Sequence, residues 1–195
     1  AQAPLGKYKN KFLGTIGDAG IFSLNYHKHI HTGEGGVIVT NDDELANKMR
    51  MIANHGQERK YHHKVLGCNS RLDTIQAAIL NVKIKHLDLY SQSRNAMASF
   101  YDVAFVEVDE LEIPERQLNS THVFHQYTLK VKNGKRKDFQ KYLSEKGIPS
   151  MIYYPLPLYR QEAFQQFVTT DFKLPITEEL CDQVLSLPIH TELNS

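Results

Sequence analysis

The chain is short of several things, and each shortage excludes something. It has only two cysteines, Cys68 and Cys181, far apart and without metal-type spacing. They read as unpaired thiols of a reducing compartment rather than as a disulfide framework. Neither sign of charge dominates: 23 Lys and Arg against 22 Asp and Glu leave a formal net charge of +1. That balance gives no reason to expect nucleic acid or an acidic membrane as partner. No run approaches the roughly 20 apolar residues a membrane-crossing helix needs, and no signal-peptide pattern opens the chain. The expectation is a cytoplasmic protein with no membrane partner. Internal repeats and low-complexity segments are also missing. What remains is ordinary globular material, 41% apolar and 23% charged, and 195 residues suffice for one large or two small cores.

The informative stretch is 14–40, GTIGDAGIFSLNYHKHIHTGEGGVIVT. Two short apolar runs, 19–24 and 37–39, flank a polar loop with one lysine, three histidines and a Gly-Glu-Gly-Gly turn. Short β-prone runs bounded by glycine predict a hairpin-like strand pair, with Lys28 at its mouth. Sequestering an ammonium beside two strands is structurally costly. Chemically it is useful, because a partly desolvated amine attacks carbonyls. Ser23, five residues earlier, offers a hydroxyl to a phosphate.

Gly17, Asp18, Gly20, Phe22, Ser23, Lys28 and 32–36 follow the pattern G-D-x-G-x-F-S-(x4)-K-x-(x2)-T-G-E-G-G without a gap. This stretch resembles the sugar aminotransferases that use pyridoxal phosphate, the DegT/DnrJ/EryC1/StrS family. The resemblance implies an α/β fold of fold-type I, like aspartate aminotransferase. It implies pyridoxal 5'-phosphate as cofactor, carried by Lys28 as a Schiff base, with Ser23 on its phosphate. Gln2 matches the glutamine of a D-x-A-Q segment that lies close to the cofactor ring. The aspartate of that segment, which pairs with the pyridine nitrogen, would precede Ala1. The expectation is therefore a C-terminal half, with 1–90 the end of the large cofactor domain and 91–195 a small α/β domain. The implied reaction moves an amino group from glutamate to a keto carbon of a nucleotide-linked sugar, in a homodimer with shared active sites.

Further along, Asn41 with Glu44 reads as a capping box for an amphipathic helix over 42–53, stopped at Gly56. Residues 57–70 read as a basic loop without periodicity, ending in Gly67-Cys68-Asn69-Ser70-Arg71. The resembled family has G-x-N-x-R here, and its asparagine, matching Asn69, reaches the cofactor phosphate of the neighbouring subunit. The local alternative is that Asn69 and Ser70 only turn and cap the next helix. No Pro or Gly interrupts 72–105, so one long helix is expected there. Strands are expected at 123–131 and 150–154, and helices at 135–146, 160–168 and 177–187. Residues 1–13 read as an exposed connection. The family's Y-P-x-P-L-H loop lines the sugar-nucleotide entrance; here it implies substrate contacts for Tyr154 and Tyr159, the latter standing where histidine is usual.

His27, His29 and His31 alternate, which on a strand would align them on one face and admit a metal. A metal hydrolase is thus a distant alternative, and the site is expected to hold no metal. Substrate contacts by His29 and His31 are the preferred reading. A subgroup of the resembled family carries histidine at the lysine position and dehydrates the sugar instead. Here the register puts lysine at that position, so the dehydratase is the closest rival. A non-catalytic fragment or regulatory relative is the other reading kept open.

Overall fold

The computed structural model describes residues 4–168 and 173–193. In chain order the strands and helices are β1 (Lys7–Tyr8), β2 (Lys11–Phe12), β3 (Gly20–Ser23), β4 (Gly36–Val39), α1 (Asp43–Ala53), β5 (Gln57–Arg59), β6 (His62–His63), α2 (Thr74–Lys83), α3 (Leu87–Phe105), β7 (Leu111–Glu112), β8 (Ser120–Thr121), β9 (Tyr127–Val131), α4 (Arg136–Glu145), α5 (Pro175–Gln183) and β10 (Val184–Leu187). They divide into two compact units. The first comprises Ala1–Gln92 and Gln117–His125, the second Ser93–Arg116 and Gln126–Ser195.

In the first unit β3 and β4 form the expected antiparallel pair, Gly20 opposite Val39 and Ser23 opposite Gly36. Gly20 has no alternative: a Cβ there would lie 1.9 Å from the carbonyl oxygen of Gly14. Ile21 and Ile38 oppose each other and are 62% and 53% exposed. Leu24, Ile30 and Leu87 make the buried nucleus, with Leu5, Val37, Leu72, Leu80 and Tyr90 packed around it. Residues 1–13 are not the plain connection expected. Within them β1 turns back on β2 through Lys9 and Asn10, both at positive φ, as a tight two-residue hairpin demands. β1 also pairs with β8, more than a hundred positions away in sequence, a partner no local pattern announces.

Helix α1 starts one residue later than expected. Its cap is Asp42, whose carboxylate accepts the Leu45 N–H at 2.9 Å. The supposed basic loop contains a small irregular hairpin, β5 against β6. The single long helix is also corrected. α2 tightens into a 3-10 turn at Ile84–His86 before α3 begins. No breaker residue marks this step; it falls where Lys83 turns to the residue 31 backbone and Leu87 enters the core.

The second unit is built on a three-stranded antiparallel sheet, β10-β9-β7. Tyr127, Leu129 and Val131 alternate inward from β9, and all four residues of β10 are buried. The Tyr127 hydroxyl donates to Asp102 at 2.8 Å, and Arg116 grips the same carboxylate. Burial, then that bond, pushes the Tyr127 phenol far above its ordinary range. Four expectations shift here. The strand at 123–131 shortens to β9, and 150–154 supplies only a bridge from Met151 to Ser186. The helix at 177–187 ends at Gln183, because Val184 to Leu187 pair with Lys130 to Tyr127 instead. Residues 160–168 form 3-10 turns, Leu158–Arg160 and Glu162–Phe167, rather than an α-helix.

Candidate active site

Lys28 sits in the loop between β3 and β4, and the fold explains how that loop is held. Where β3 ends, Leu24 donates to the Gly35 carbonyl at 2.9 Å, and Thr32 donates to the Leu24 carbonyl at 3.0 Å. A tight turn follows, in which the Lys28 N–H reaches the Asn25 carbonyl at 2.8 Å. The Asn25 side chain accepts the His27 N–H at 3.1 Å and donates to the Glu34 carboxylate at 2.6 Å. The two limbs of the loop are thereby cross-linked near the base. Gly35 has φ of +147°, and a Cβ there would lie 2.7 Å from Leu72. The glycine turn is thus required by both backbone and packing.

The Lys28 side chain is half-buried, and among the described residues its amine has no hydrogen bond or ion pair. Ser23, half-buried at the end of β3, accepts the Asn25 N–H at 3.3 Å. Its own proton finds no acceptor among the described residues, so it is available to an anion. An unpaired amine and a hydroxyl donor thus lie on the same strand end and turn. Asn69 is exposed and bridges Asn54 in an antiparallel contact, with Arg71 also holding Asn54 at 2.7 Å. Gln2 lies outside the described residues.

The three histidines are not aligned. Residues 25–35 form turns and bends rather than a strand, so the expected common face is corrected: His27 is exposed, His29 buried and His31 half-buried. His29 is 4% exposed with Nε2 3.0 Å from Ser91 Oγ, which in turn donates to the Leu87 carbonyl. Among the described residues no group of three or more His, Cys, Asp or Glu is arranged to hold a metal. Tyr154 and Tyr159 belong to the second unit. Tyr154 is 65% exposed, whereas the Tyr159 hydroxyl donates to Glu178, which Arg160 also grips at 2.6 Å. A cleft of about 920 Å³ opens between β4, α1 and residues 70–76, with Arg50, Arg71 and Asp73 on its wall. Neither Lys28 nor Ser23 lines it.

The profile of the DegT/DnrJ/EryC1/StrS aminotransferase family matches residues 1–195. This chain belongs to that family. Among its curated relatives, a pleiotropic regulatory protein of Geobacillus stearothermophilus is 44% identical over 99% of the chain and 52% of the relative. The UDP-N-acetyl-3-dehydro-alpha-D-glucosamine 3-aminotransferase of Acidithiobacillus ferrooxidans is 40% identical over 99% of the chain and 51% of the relative. Among solved structures, DesV of Streptomyces venezuelae, in complex with a ketimine intermediate, superposes with a TM-score of 0.93 at 33% identity, over all of this chain and 52% of DesV. The fold is thus the α/β fold of the pyridoxal-phosphate-dependent sugar aminotransferases, fold-type I. The chain spans about half the length of the relatives it matches.

Sequence reasoning missed Lys83 and Gln76, which contact the Lys28 loop from α2. Gln76 carries a faint signal, as the third helical residue after Asp73, whose N–H its side chain accepts at 3.3 Å. Lys83 carries none, being one cation on an otherwise ordinary helix. No described helix is long and apolar enough to cross a membrane.

Proposed function

We propose that the whole protein is a sugar-nucleotide aminotransferase, passing an amino group from glutamate to a keto carbon of a nucleotide-linked sugar. The observation that carries this is Lys28, a half-buried residue whose amine has no partner among the described residues, in a motif shared with the family. Pyridoxal phosphate fits these residues: Lys28 would anchor it, Ser23 would donate to its phosphate, and Gln2 would lie beside its ring. When bound, the cofactor supplies an electron sink for a carbanion at the donor's α-carbon. The protein does the rest. Lys28 Nζ, freed from its anchoring role, takes the α-proton of the amino donor and later delivers one to the former keto carbon of the sugar. Tyr154 and Tyr159 are the substrate-side candidates of the second unit, and the bonds of His29 and His31 favour a loop-holding role for both.

The same reading makes 1–90 the end of the large cofactor domain and 91–195 the small domain. It makes the working protein a cytoplasmic homodimer, with Asn69 reaching the neighbouring subunit's cofactor phosphate. Ile21 and Ile38, exposed on a ribbon of only two strands, support a larger sheet in the whole protein. The name of the Geobacillus relative favours one second reading, a regulatory protein that keeps the fold without turnover.

Incubation with pyridoxal phosphate followed by borohydride tests the central residue. The expected result is a stable pyridoxyl adduct on the peptide containing Lys28, lost in Lys28→Ala. Adducts spread evenly over surface lysines would sink the assignment. Glutamate-dependent amination of UDP- or dTDP-linked keto sugars separates enzyme from regulator. The 195-residue chain alone is expected to bind cofactor weakly and turn over little.

A further inference from the structure

One face of α2 holds the return limb of the Lys28 loop by its backbone. Lys83 Nζ lies 3.0 Å from the His31 carbonyl oxygen, and 3.0 and 3.3 Å from Nε2 and Nδ1 of the same ring. Gln76, seven residues earlier and hence on the same side of the helix, donates to the Thr32 carbonyl at 3.1 Å and to the Glu34 carbonyl. Its amide oxygen is meanwhile fixed by the Asp73 N–H at 3.3 Å. The carbonyls of residues 31, 32 and 34 are therefore all tied to two α2 side chains, while β3 and Asn25 tie the loop's base. Lys28 stands in the span between these two sets of ties.

Lys83 is a strange residue to use for mere packing. It is half-buried, and no carboxylate pairs with it among the described residues. Burial pulls its pKa below the ordinary lysine range, and burial with the neighbouring ammonium lowers that of His31. His31 is thus a neutral ring that can accept from the ammonium. Two of the three ammonium donors serve the carbonyl and a ring nitrogen, acceptors that a shorter or single-donor side chain would not both reach.

We infer that Lys83, assisted by Gln76, is a positioning residue for Lys28, fixing the height and direction of the reactive amine through the backbone of residues 31–34. This rests on the reading of Lys28 as the cofactor-anchoring amine. Small displacements of a reacting group are costly in rate, so loosening the clamp slows reaction at Lys28 without touching the amine itself.

The test compares wild type, Lys83→Met and Lys83→Arg of the 195-residue chain, with two readouts. One is the rate of borohydride-trapped labelling at Lys28 by pyridoxal phosphate, with exposed lysines as internal reference. The other is amide hydrogen exchange at residues 29–33. Lys83→Met should label Lys28 roughly tenfold more slowly, as expected for losing a charge-assisted bond, with exposed lysines unchanged and exchange at 29–33 faster. Lys83→Arg, which keeps the cationic donors, should recover most of both. Wild-type labelling and wild-type exchange in Lys83→Met would overturn the inference. If wild type itself yields no Lys28 adduct, the chain alone binds too little cofactor for the labelling readout, and exchange alone decides the clamp: faster in Lys83→Met upholds it, unchanged overturns it. Should Lys83→Met not fold, Gln76→Leu, which removes the other two ties, is judged by the same criteria.

Discussion

The strand β9 and the Lys28 loop are held by opposite means. In β9, Tyr127, Leu129 and Val131 alternate onto one face with Leu185 and Leu187, all buried, and the ladder to β10 runs without a break. In the loop, only Leu24, His29, Ile30 and Thr32 are buried, and the backbone is fixed by side chains: Asn25, Gln76 and Lys83. Apolar packing tolerates substitution by degrees and is non-directional. Hydrogen bonds to carbonyls fix position within tenths of an ångström, and lose it all at once. On the proposed reading of Lys28, a segment that aims one amine is better held by the second means, and a segment that only supports its unit by the first.

The largest stability effect should come from the packed region. Leu185→Ala, at a fully buried position, is expected to cost about 3 kcal/mol, read from the urea midpoint and from faster amide exchange in β9. A loss under 1 kcal/mol would break the contrast by showing that this core collapses around the gap. Tyr127→Phe keeps the ring and removes the donor to Asp102. The expected loss is about 1.5 kcal/mol, again by urea titration, with the β9 register intact. Asp42→Ala removes the cap of α1 and should cost about 1 kcal/mol, visible as faster exchange of the Leu45 amide. The smallest effect is that of pH on the loop. The His31 pKa is lowered on folding, so just below the ordinary histidine range the unfolded chain binds the extra proton and the folded one resists it. Stability should therefore fall as pH drops through that range, and level off once the folded ring is also protonated. His31→Asn should flatten that segment of the pH–stability curve; an unchanged slope would remove His31 from the account.

Much of the candidate site is legible in residue order because its parts are contiguous. Ser23, Lys28 and Gly36 lie on a single strand–turn–strand, where spacing along the chain is nearly spacing in three dimensions. The hairpin at 20–39 and the helix after Asp42 followed for the same reason. The histidines are the exception: alternation suits a strand, whereas glycines and the Asn25 turn bend that segment. The end of α5 is not legible locally, because 184–187 carries apolar residues that suit a helix face as well as a strand, and only β9 decides between them.

The motif, the charge balance and the residue types at 14–40 determined which chemistry this protein is suited to, since reactivity belongs to side chains and their near neighbours. Tertiary structure alone decided that β8 completes the β1–β2 ribbon, that β10 is a strand, and that Lys83 and Gln76 grip the Lys28 loop. Each of these depends on groups brought together from distant parts of the chain, and such meetings are governed by the packing of whole elements rather than by local preference.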